Sequence, residues 1–415
     1  MNQPTPRPPL QSLDEARAHL LAAVAPLGHS ERISTFDALG RVLAQEVRSQ
    51  LDVPPADNTS MDGYALRVAD VPEAGTVLPV VQRVPAGVVG ATLAPGTAAR
   101  IFTGAQIPAG ADAVVMQEQC EAVPGQGLGQ VRVQERPSPG QWIRRRGEDV
   151  QHGSVVLAAG ARLDAASLGL AASVGAGMLD VARRPRVALF STGDELVMPG
   201  EPLKPGAIYN SNRFLLRGLL QALGCDVLDL GIVPDRLEAT RDALRRAAGD
   251  CDLILTSGGV SMGEEDHLRP AVQAEGRLDL WQIAIKPGKP LAFGQVRRAE
   301  GGAAWFLGLP GNPVSSFVTF LLLVRPVLLR LQGATHLEPQ ALGLRADFNW
   351  PKPDRRREFL RVRLNAQGGL DLFPNQSSGV LTSAVWADGL VDNAPGQAIA
   401  AGDMVRFLPM TALMS

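Results

Sequence analysis

The first hydrophobic pattern along the chain is helical. Ser12 and Glu15 stand three residues apart, which is the spacing of a capping box at a helix N-terminus. Apolar residues recur every three or four positions after the cap: Leu13, Ala16, Leu20, Val24 and Leu27. A second helix is predicted from Thr35, because apolar residues as far as Leu43 again fall on one face.

A different pattern follows the two predicted helices. Short valine-rich segments between residues 71 and 136 alternate with proline and glycine turns, which predicts a small all-β unit. Another helix is predicted around residues 165–174. We therefore expect a discontinuous N-terminal domain of residues 1–48 and 140–185, interrupted by a β-rich insertion of residues 49–139.

From residue 186 onward, short runs typical of buried strands alternate with amphipathic helices. Strands are predicted at 187–190, 226–230, 252–256, 278–284 and 305–307, and helices at 212–223, 237–248 and 314–331. This alternation is typical of βαβ units in a mostly parallel sheet. We expect an α/β domain over residues 186–333 and a C-terminal β-barrel-like domain over residues 334–415.

Composition narrows the functional classes. Lys plus Arg number 40 and Asp plus Glu 42, and the resulting net charge of −2 provides no global field for nucleic acid or an anionic membrane. Hydrophobic residues make up 45% of the chain, which excludes wholesale disorder. The three cysteines and five histidines are scattered, which argues against a disulfide framework and a thiolate or histidine metal site. Since we find neither a signal-peptide pattern nor an apolar run approaching ~20 residues, we expect a cytoplasmic protein.

Polar residues follow each of the five predicted strands of the α/β domain. Ligands of such sheets bind beyond the carboxyl ends of the strands, so these five loops are expected to meet at one edge. The candidate residues that the loops carry are Glu195, Asp235, Asp266, Lys286, Lys289 and Asn312.

The loop after the third predicted strand reads TSGGVSMGEED. Gly258 and Gly259 allow backbone N–H groups to approach phosphate oxygens closely. Ser261 in the same loop is a further candidate substrate ligand. A tight turn that binds nothing is the alternative interpretation.

Acidic residues beside a phosphate site suggest a bound cation. Carboxylates repel a phosphate unless a cation lies between them, and Mg²⁺ takes a few carboxylates together with phosphate oxygens. Glu195, Asp235 and Asp266 are the candidate ligands. The competing interpretation is that Glu195 and Asp266 cap helices.

Two proline-containing loops are candidate anion sites. KPGKP supplies Lys286 and Lys289 within one turn, and lysine suits a phosphate or another oxyanion. A solvated turn is the alternative, especially for Lys289. In GLPGNP, backbone amides next to Asn312 could hold an anion, although a structural turn explains the same residues.

Three segments outside the α/β domain carry further polar candidates. DNTSMDGYAL contains Asp57 and Asp62, which form either a site or a network of turn hydrogen bonds, and IFTGAQIP contains Thr103. In IRRRGED the arginines stand next to acids. That arrangement favours internal ion pairs or a substrate contact over a nucleic-acid patch.

Eight motifs stand in a fixed order along the chain: DNTSMDGYA, FTGAQIPAGADAVVMQE, IRRRGEDV, FSTGDEL, GCDVLDLGIVPD, TSGGVSMGEEDH, AIKPGKPLAFG and GLPGNPVSSF. Together they resemble the molybdopterin molybdenumtransferase family, the bacterial molybdenum-insertion enzymes related to the C-terminal domain of gephyrin. The resemblance extends from about Leu10 to Leu331 and is thinner beyond Thr335.

The resemblance implies a four-domain elongated subunit and a homodimer whose active sites lie between subunits. It also implies that adenylylated molybdopterin and molybdate are converted into molybdenum cofactor and AMP, with Mg²⁺ as the cation. The functional residues carried over by motif position are Asp57, Thr103, Glu195, Asp235, Asp266 and Lys286, with Arg361 and Ser378 placed from the segments REFLRVRL and NQSSG. In this hypothesis the acids of the α/β domain hold Mg²⁺ at the pyrophosphate bridge. Lys286, Arg361 and Ser378 hold the oxyanion near the dithiolene sulfurs.

One departure from the family pattern leaves other functions open. The family often carries a lysine where this chain has Gln282, so the anion site would lose one positive charge. The alternatives are a molybdopterin adenylyltransferase, a tungsten-inserting or inactive paralogue, and a gephyrin-like scaffold. A molybdopterin adenylyltransferase and apo-molybdoenzymes are the expected partners besides a second copy of the chain.

Overall fold

The protein is described by a computed structural model that covers residues 10–259 and 267–414. Its first helix, Leu13–Ala23, begins with the predicted capping box between Ser12 and Glu15. The buried face of this helix packs into the core of the α/β unit. The short strand Leu10–Gln11 precedes it and pairs in parallel with Gly276–Ile283 at one edge of the main sheet.

Chain segments on both sides of the β-rich insertion share one small core. Ser30–Ser34 pairs with Met178–Ala182, and Val47–Arg48 pairs with Val155–Leu157, both in antiparallel fashion. The helix Ala165–Ser173 contributes to the same core. These pairings join residues 30–48 to residues 155–182, whereas the helix Leu13–Ala23 lies with the α/β unit.

The second helix expected from Thr35 does not form, and that prediction is wrong. The chain makes a single 3₁₀ turn, Thr35–Asp37. Gly40 then takes a positive φ of 74°. Gly40 and Leu43 donate backbone hydrogen bonds to the carbonyls of Leu163 and Ala161 instead of continuing a helix.

The insertion is a six-stranded sheet, as predicted. Its strands lie in the order Ala113–Met116, Gly63–Leu66, Ala98–Ile101, Thr76–Val84, Gln130–Val133 and Cys120–Val123. Apolar side chains form two separate clusters against the sheet. The pair Asn58–Thr59 and Ile143–Arg144 joins the entry and exit of the insertion.

A seven-stranded sheet forms the centre of the α/β unit. The strand order is Leu10–Gln11, Gly276–Ile283, Pro290–Arg297, Ala303–Leu309, Leu253–Ser257, Arg186–Thr192 and Asp226–Val233. Four strands at one end are parallel, and Pro290–Arg297 is antiparallel to both its neighbours. Gly276–Ile283 therefore runs in the same direction as those four strands. Five carboxyl ends consequently meet at one edge, as the strand-and-loop pattern predicts.

The strand Pro290–Arg297 and the helix Leu268–Glu275 were not predicted from the sequence, whereas the other two helices packed on the sheet were. The helices of the unit are Ser211–Ala222, Leu237–Asp250 and Leu268–Glu275, with a short strand pair Leu196–Val197 and Ile208–Tyr209 beside the sheet.

One apolar helical run forms part of the core. It consists of Pro313–Thr319, a π-helical turn Phe320–Val324, and Arg325–Leu331. By length and composition the run could cross a membrane, but 94% of its most apolar window is buried inside the protein. It is therefore a core helix.

The C-terminal unit is built from β-strands with two short helices. Its strands are Leu342–Arg345, Arg357–Leu364, Leu370–Leu372, Gly389–Asn393 and Met404–Pro409, and its helices are Thr382–Trp386 and Met410–Met414. The two-residue strand Ile285–Lys286 from the α/β unit joins this sheet parallel to Arg357–Leu364, with Lys286 opposite Glu358. We call this pairing the interdomain seam.

Candidate functional site

An open cleft of about 670 Å³ lies where the strand ends of the α/β unit meet the C-terminal unit. Four of the five predicted loops contribute to its wall, together with a C-terminal segment around residues 376–378. The predicted residues that line the cleft are Glu195, Gly258, Gly259, Lys286, Lys289, Asn312 and Ser378. Residues that the sequence pattern did not single out also line it: Ser315, Arg356, Gln376 and Ser377.

The KPGKP loop forms the seam side of the cleft. Gly288 takes a positive φ of 113°, and a Cβ at this position would overlap the Thr319 hydroxyl of the core helix. Glycine is therefore required for the loop to lie against that helix. The close packing presents Lys286 and Lys289 to the cleft from one short turn.

Lys286 is held by two carboxylates from the C-terminal unit. Its Nζ donates to Glu358 Oε1 at 3.1 Å and lies 3.6 Å from Asp354 Oδ2. The same ammonium lies 6.0 Å from the centre of the Trp350 ring. The side chain remains 39% exposed, so the charge is still accessible to a ligand in the cleft.

Arg356 adds a third cation to the cleft. Its guanidinium binds Asp354 in bidentate fashion, with Nε to Oδ1 at 3.0 Å and Nη2 to Oδ2 at 2.8 Å. The hydrogen bonds from Arg356 hold the pKa of Asp354 well below its usual range. The available signal was the run of three arginines, residues 355–357, which leads into the segment REFLRVRL.

The glycine-rich loop and the proline turn supply backbone to the cleft. Gly258 and Gly259 take positive φ values of 89° and 65°, so their backbone geometry suits a ligand cradle. In the turn before the core helix, Asn212 Nδ2 donates to the carbonyl of Gly311 at 2.7 Å. The Val314 amide donates to Ser378 at 3.0 Å and thereby joins the turn to the C-terminal unit. The candidates Ser261 and Asp266 lie outside the described residues.

Arg361 lies beneath the cleft wall and not on it. Only 1% of this residue is exposed, and burial lowers the pKa of its guanidinium to about 10. Its guanidinium donates to Ser383 Oγ at 3.2 Å and to the carbonyls of Phe359 and Ser377 at 3.1 and 3.3 Å. The expected oxyanion contact is thus corrected to a supporting role, because this side chain is buried and its donors are used by Ser383, Phe359 and Ser377.

We expect Arg361→Ala to lower the free energy of unfolding by about 3 kcal/mol, since it leaves buried acceptors without a donor. Arg363→Ala on the same strand is the matched control, because Arg363 is exposed and lies over the Trp386 ring. That change should cost no more than about 1 kcal/mol. Urea unfolding of both variants measures the difference, and equal losses would contradict the supporting role.

The predicted metal ligands are only partly brought together. Glu195 is exposed in the cleft, whereas Asp235 follows the outermost strand of the main sheet and is not among the lining residues. Within residues 10–259 and 267–414, no group of three or more His, Cys, Asp or Glu side chains could hold a metal ion. The described residues thus offer one carboxylate to a cation in the cleft.

Asp57 and Thr103 belong to a second polar surface, away from the cleft of the same chain. Asp57 accepts from Arg145 Nη1 at 2.7 Å and from the Arg146 amide at 2.8 Å. Partial burial opposes ionisation of Asp57, but these hydrogen bonds outweigh it and lower the pKa. The Thr103 amide and hydroxyl both donate to Asp62 Oδ1 at 2.7 Å. The internal ion pairing expected for the IRRRGED arginines is therefore present.

Gln282, the departure from the family pattern, is not among the residues that line the cleft. It lies on the strand Gly276–Ile283, where its register partners are Leu10 and Pro290. The absence of a lysine at this position therefore does not remove a charge from the cleft wall as the structure describes it.

Comparison with known proteins agrees with this architecture. Three family models match: the MoeA N-terminal region (domain I and II) over residues 11–175, a probable molybdopterin binding domain over residues 188–330, and the MoeA C-terminal region (domain IV) over residues 344–410. A molybdopterin biosynthesis moeA protein from Pyrococcus horikoshii OT3 superposes with a TM-score of 0.82 at 28% identity, covering 97% of this chain and 100% of that one.

Curated relatives belong to the same family as the matching models indicate. The molybdopterin molybdenumtransferase of Haemophilus influenzae is 41% identical over 87% of this chain and 88% of its own length. The molybdopterin molybdenumtransferase of a Nostoc species is 36% identical over 89% of this chain and 85% of its own length. The chain therefore belongs to the molybdopterin molybdenumtransferase family, and its function lies in molybdenum cofactor biosynthesis.

Proposed function

We propose that this enzyme inserts molybdate into adenylylated molybdopterin and releases AMP. The observation that supports the proposal best is the convergence of three cations on one cleft. Lys286 and Lys289 come from the α/β unit and Arg356 from the C-terminal unit. Three positive charges, together with the serine hydroxyls that line the same cleft, suit a tetrahedral dianion.

The glycine-rich part of the cleft lining suits the phosphates of the organic substrate. Gly258 and Gly259 follow a central parallel strand, which is the usual place for a phosphate cradle. Molybdate on the lysine side and the adenylyl phosphate on the glycine side would then lie within one cleft. This arrangement provides the proximity that coupled insertion and cleavage require.

We further propose that a divalent cation such as Mg²⁺ assists. Mg²⁺ is bound through one or two carboxylates plus phosphate oxygens, and Glu195, which lines the cleft, fits this donor requirement. In this proposal the second carboxylate is Asp266, on the strength of its motif alone. When bound, the cation would neutralise charge on the phosphate bridge. Asp235 is left out of this set because it does not line the cleft.

We also propose a homodimer, which would give the second polar surface a role. Asp57 and Thr103 are held in fixed positions by Arg145 and Asp62 but do not reach the cleft of their own chain. A partner subunit could bring the same surface to the open side of the cleft. Further expected partners are a molybdopterin adenylyltransferase, which would supply the substrate, and apo-molybdoenzymes, which would accept the product.

The function is tested with purified protein, adenylylated molybdopterin and Mg²⁺, with molybdate, tungstate or no oxyanion added. We expect AMP release that depends on molybdate, and reconstitution of a molybdenum-dependent apo-enzyme. Dependence on tungstate alone would identify a tungsten-inserting paralogue. Release of pyrophosphate from ATP and molybdopterin, without any oxyanion requirement, would identify an adenylyltransferase instead.

A further inference from the structure

Glu358 is a buried carboxylate at the interdomain seam, and it does not itself line the cleft. Only 1% of the residue is exposed. Its Oε2 accepts from Trp350 Nε1 at 2.8 Å and from the Asp354 amide at 3.0 Å, while Oε1 accepts from Lys286 Nζ at 3.1 Å. Both oxygens are therefore occupied by donors from three different residues.

This arrangement fixes the carboxylate before any ligand arrives. Burial of a charged carboxylate is unfavourable unless donors satisfy it, and here Trp350 and the Asp354 amide hold one oxygen in place. The other oxygen is thereby aimed at Lys286, its register partner across the seam. A flexible lysine stem is thus restrained by a rigid group from another structural unit.

We propose that Glu358 is a positioning residue of the anion site and acts on the bound oxyanion through Lys286. The inference rests on the proposed function, because it assigns Lys286 to oxyanion binding. By restraining the ammonium, Glu358 lowers the conformational entropy that Lys286 would otherwise lose when an anion binds.

Two opposing effects decide whether Glu358→Gln weakens or strengthens anion binding. Removal of a negative charge near the cleft favours anion binding, whereas release of Lys286 disfavours it. We expect the release to dominate when Lys286 is present, because the ammonium lies between the carboxylate and the cleft. When Lys286 is absent, only the charge effect remains.

The first test follows the amine directly and needs no oxyanion. The chain has four lysines, and Lys204 and Lys352 are exposed away from the cleft lining. With a limiting amine acetylating reagent and peptide mass spectrometry, we expect Glu358→Gln to raise the acetylation rate of Lys286 about fivefold relative to Lys204 and Lys352. An unchanged relative rate would overturn the inference, whether or not the protein binds molybdate.

The second test is a double-mutant cycle on molybdate binding, measured by titration calorimetry. We expect Glu358→Gln to weaken binding about fivefold in the wild-type background. In the Lys286→Met background the same change should leave binding unchanged or strengthen it. Equal weakening in both backgrounds would show that Glu358 acts through the fold of the C-terminal unit and would overturn the inference. Failure of the unmodified protein to bind molybdate would count against the proposed function, and the acetylation result would then decide the inference alone.

Two further variants keep the test independent of folding. Asp392→Asn removes another buried carboxylate of the same unit, one that pairs with Arg357 at 2.6 Å and Arg406 at 3.1 Å. This control should leave Lys286 acetylation unchanged. Trp350→Phe removes one donor to Glu358 and keeps the charge. Trp350→Phe should raise Lys286 acetylation less than Glu358→Gln does. If Asp392→Asn raised Lys286 acetylation as much as Glu358→Gln does, the proposal would be contradicted.

Discussion

Lys286→Met is expected to lower molybdate-dependent AMP release by about a hundredfold or more. Lys286 presents a partly exposed ammonium to the cleft and is held there by Glu358 and Asp354. Methionine keeps much of the stem volume and removes the charge, so the loss should fall on oxyanion binding and turnover. Steady-state assays with molybdate varied over a wide range measure both quantities.

Lys352→Met is the matched control for this change. Lys352 is exposed and is not among the described residues that line the cleft. It should keep its full activity. Circular dichroism checks that Lys286→Met folds, since the change leaves Glu358 without its ammonium partner. A folded Lys286→Met variant with activity within about twofold of wild type would remove the cleft from consideration as the oxyanion site.

An equimolar mixture of Asp57→Ala and Lys286→Met subunits is expected to regain about one quarter of wild-type activity, although each variant alone is nearly inactive. If each site combines Asp57 from one subunit with Lys286 from the other, a mixed dimer contains one intact and one doubly impaired site. Random assembly makes about half of the dimers mixed, which gives the expected quarter. Differently tagged subunits, co-purified through both tags, isolate the mixed species, which should show about one half of wild-type activity.

The same mixture distinguishes other arrangements of the site. If Asp57 and Lys286 of one chain served the same site, no combination of the two variants would restore activity. A chain that remains monomeric in sedimentation experiments would contradict the proposed homodimer directly. Wild-type subunits carrying the same two tags control for inactivation during exchange.

Much of the α/β fold follows from local patterns in the sequence. Buried strands such as Leu253–Ser257 and amphipathic helices such as Leu237–Asp250 have periods that a single sequence reveals. The strand Pro290–Arg297 was missed because it begins with a proline directly after a turn and because its apolar and polar residues do not alternate regularly. The expected helix after Thr35 failed for a related reason, since backbone pairing with Ala161 and Leu163 replaced the local preference.

The sequence predicted only those parts of the candidate site that lie at the carboxyl ends of parallel strands. Lys286, Lys289 and the glycines lie at the expected edge because the topology of parallel strands requires it. Arg356 and Glu358 were missed since their role depends on pairing with a strand some seventy residues earlier. Arg356, just before the strand Arg357–Leu364, lines the cleft, whereas Arg361 within the strand is buried. Local alternation could not show this difference, because five consecutive residues of the strand are buried.

Ala284 links three separate parts of the chain next to the cleft. Its amide donates to the carbonyl of Gln11 at 2.7 Å, and its carbonyl accepts from the Arg357 amide at 2.9 Å. Contacts of such long sequence separation form late, because loop closure must precede them. As the chain emerges from the ribosome, the α/β sheet is therefore expected to fold before the anion site exists. The proposed anion site is therefore expected to be complete only after Arg356 and residues 376–378 have been synthesised.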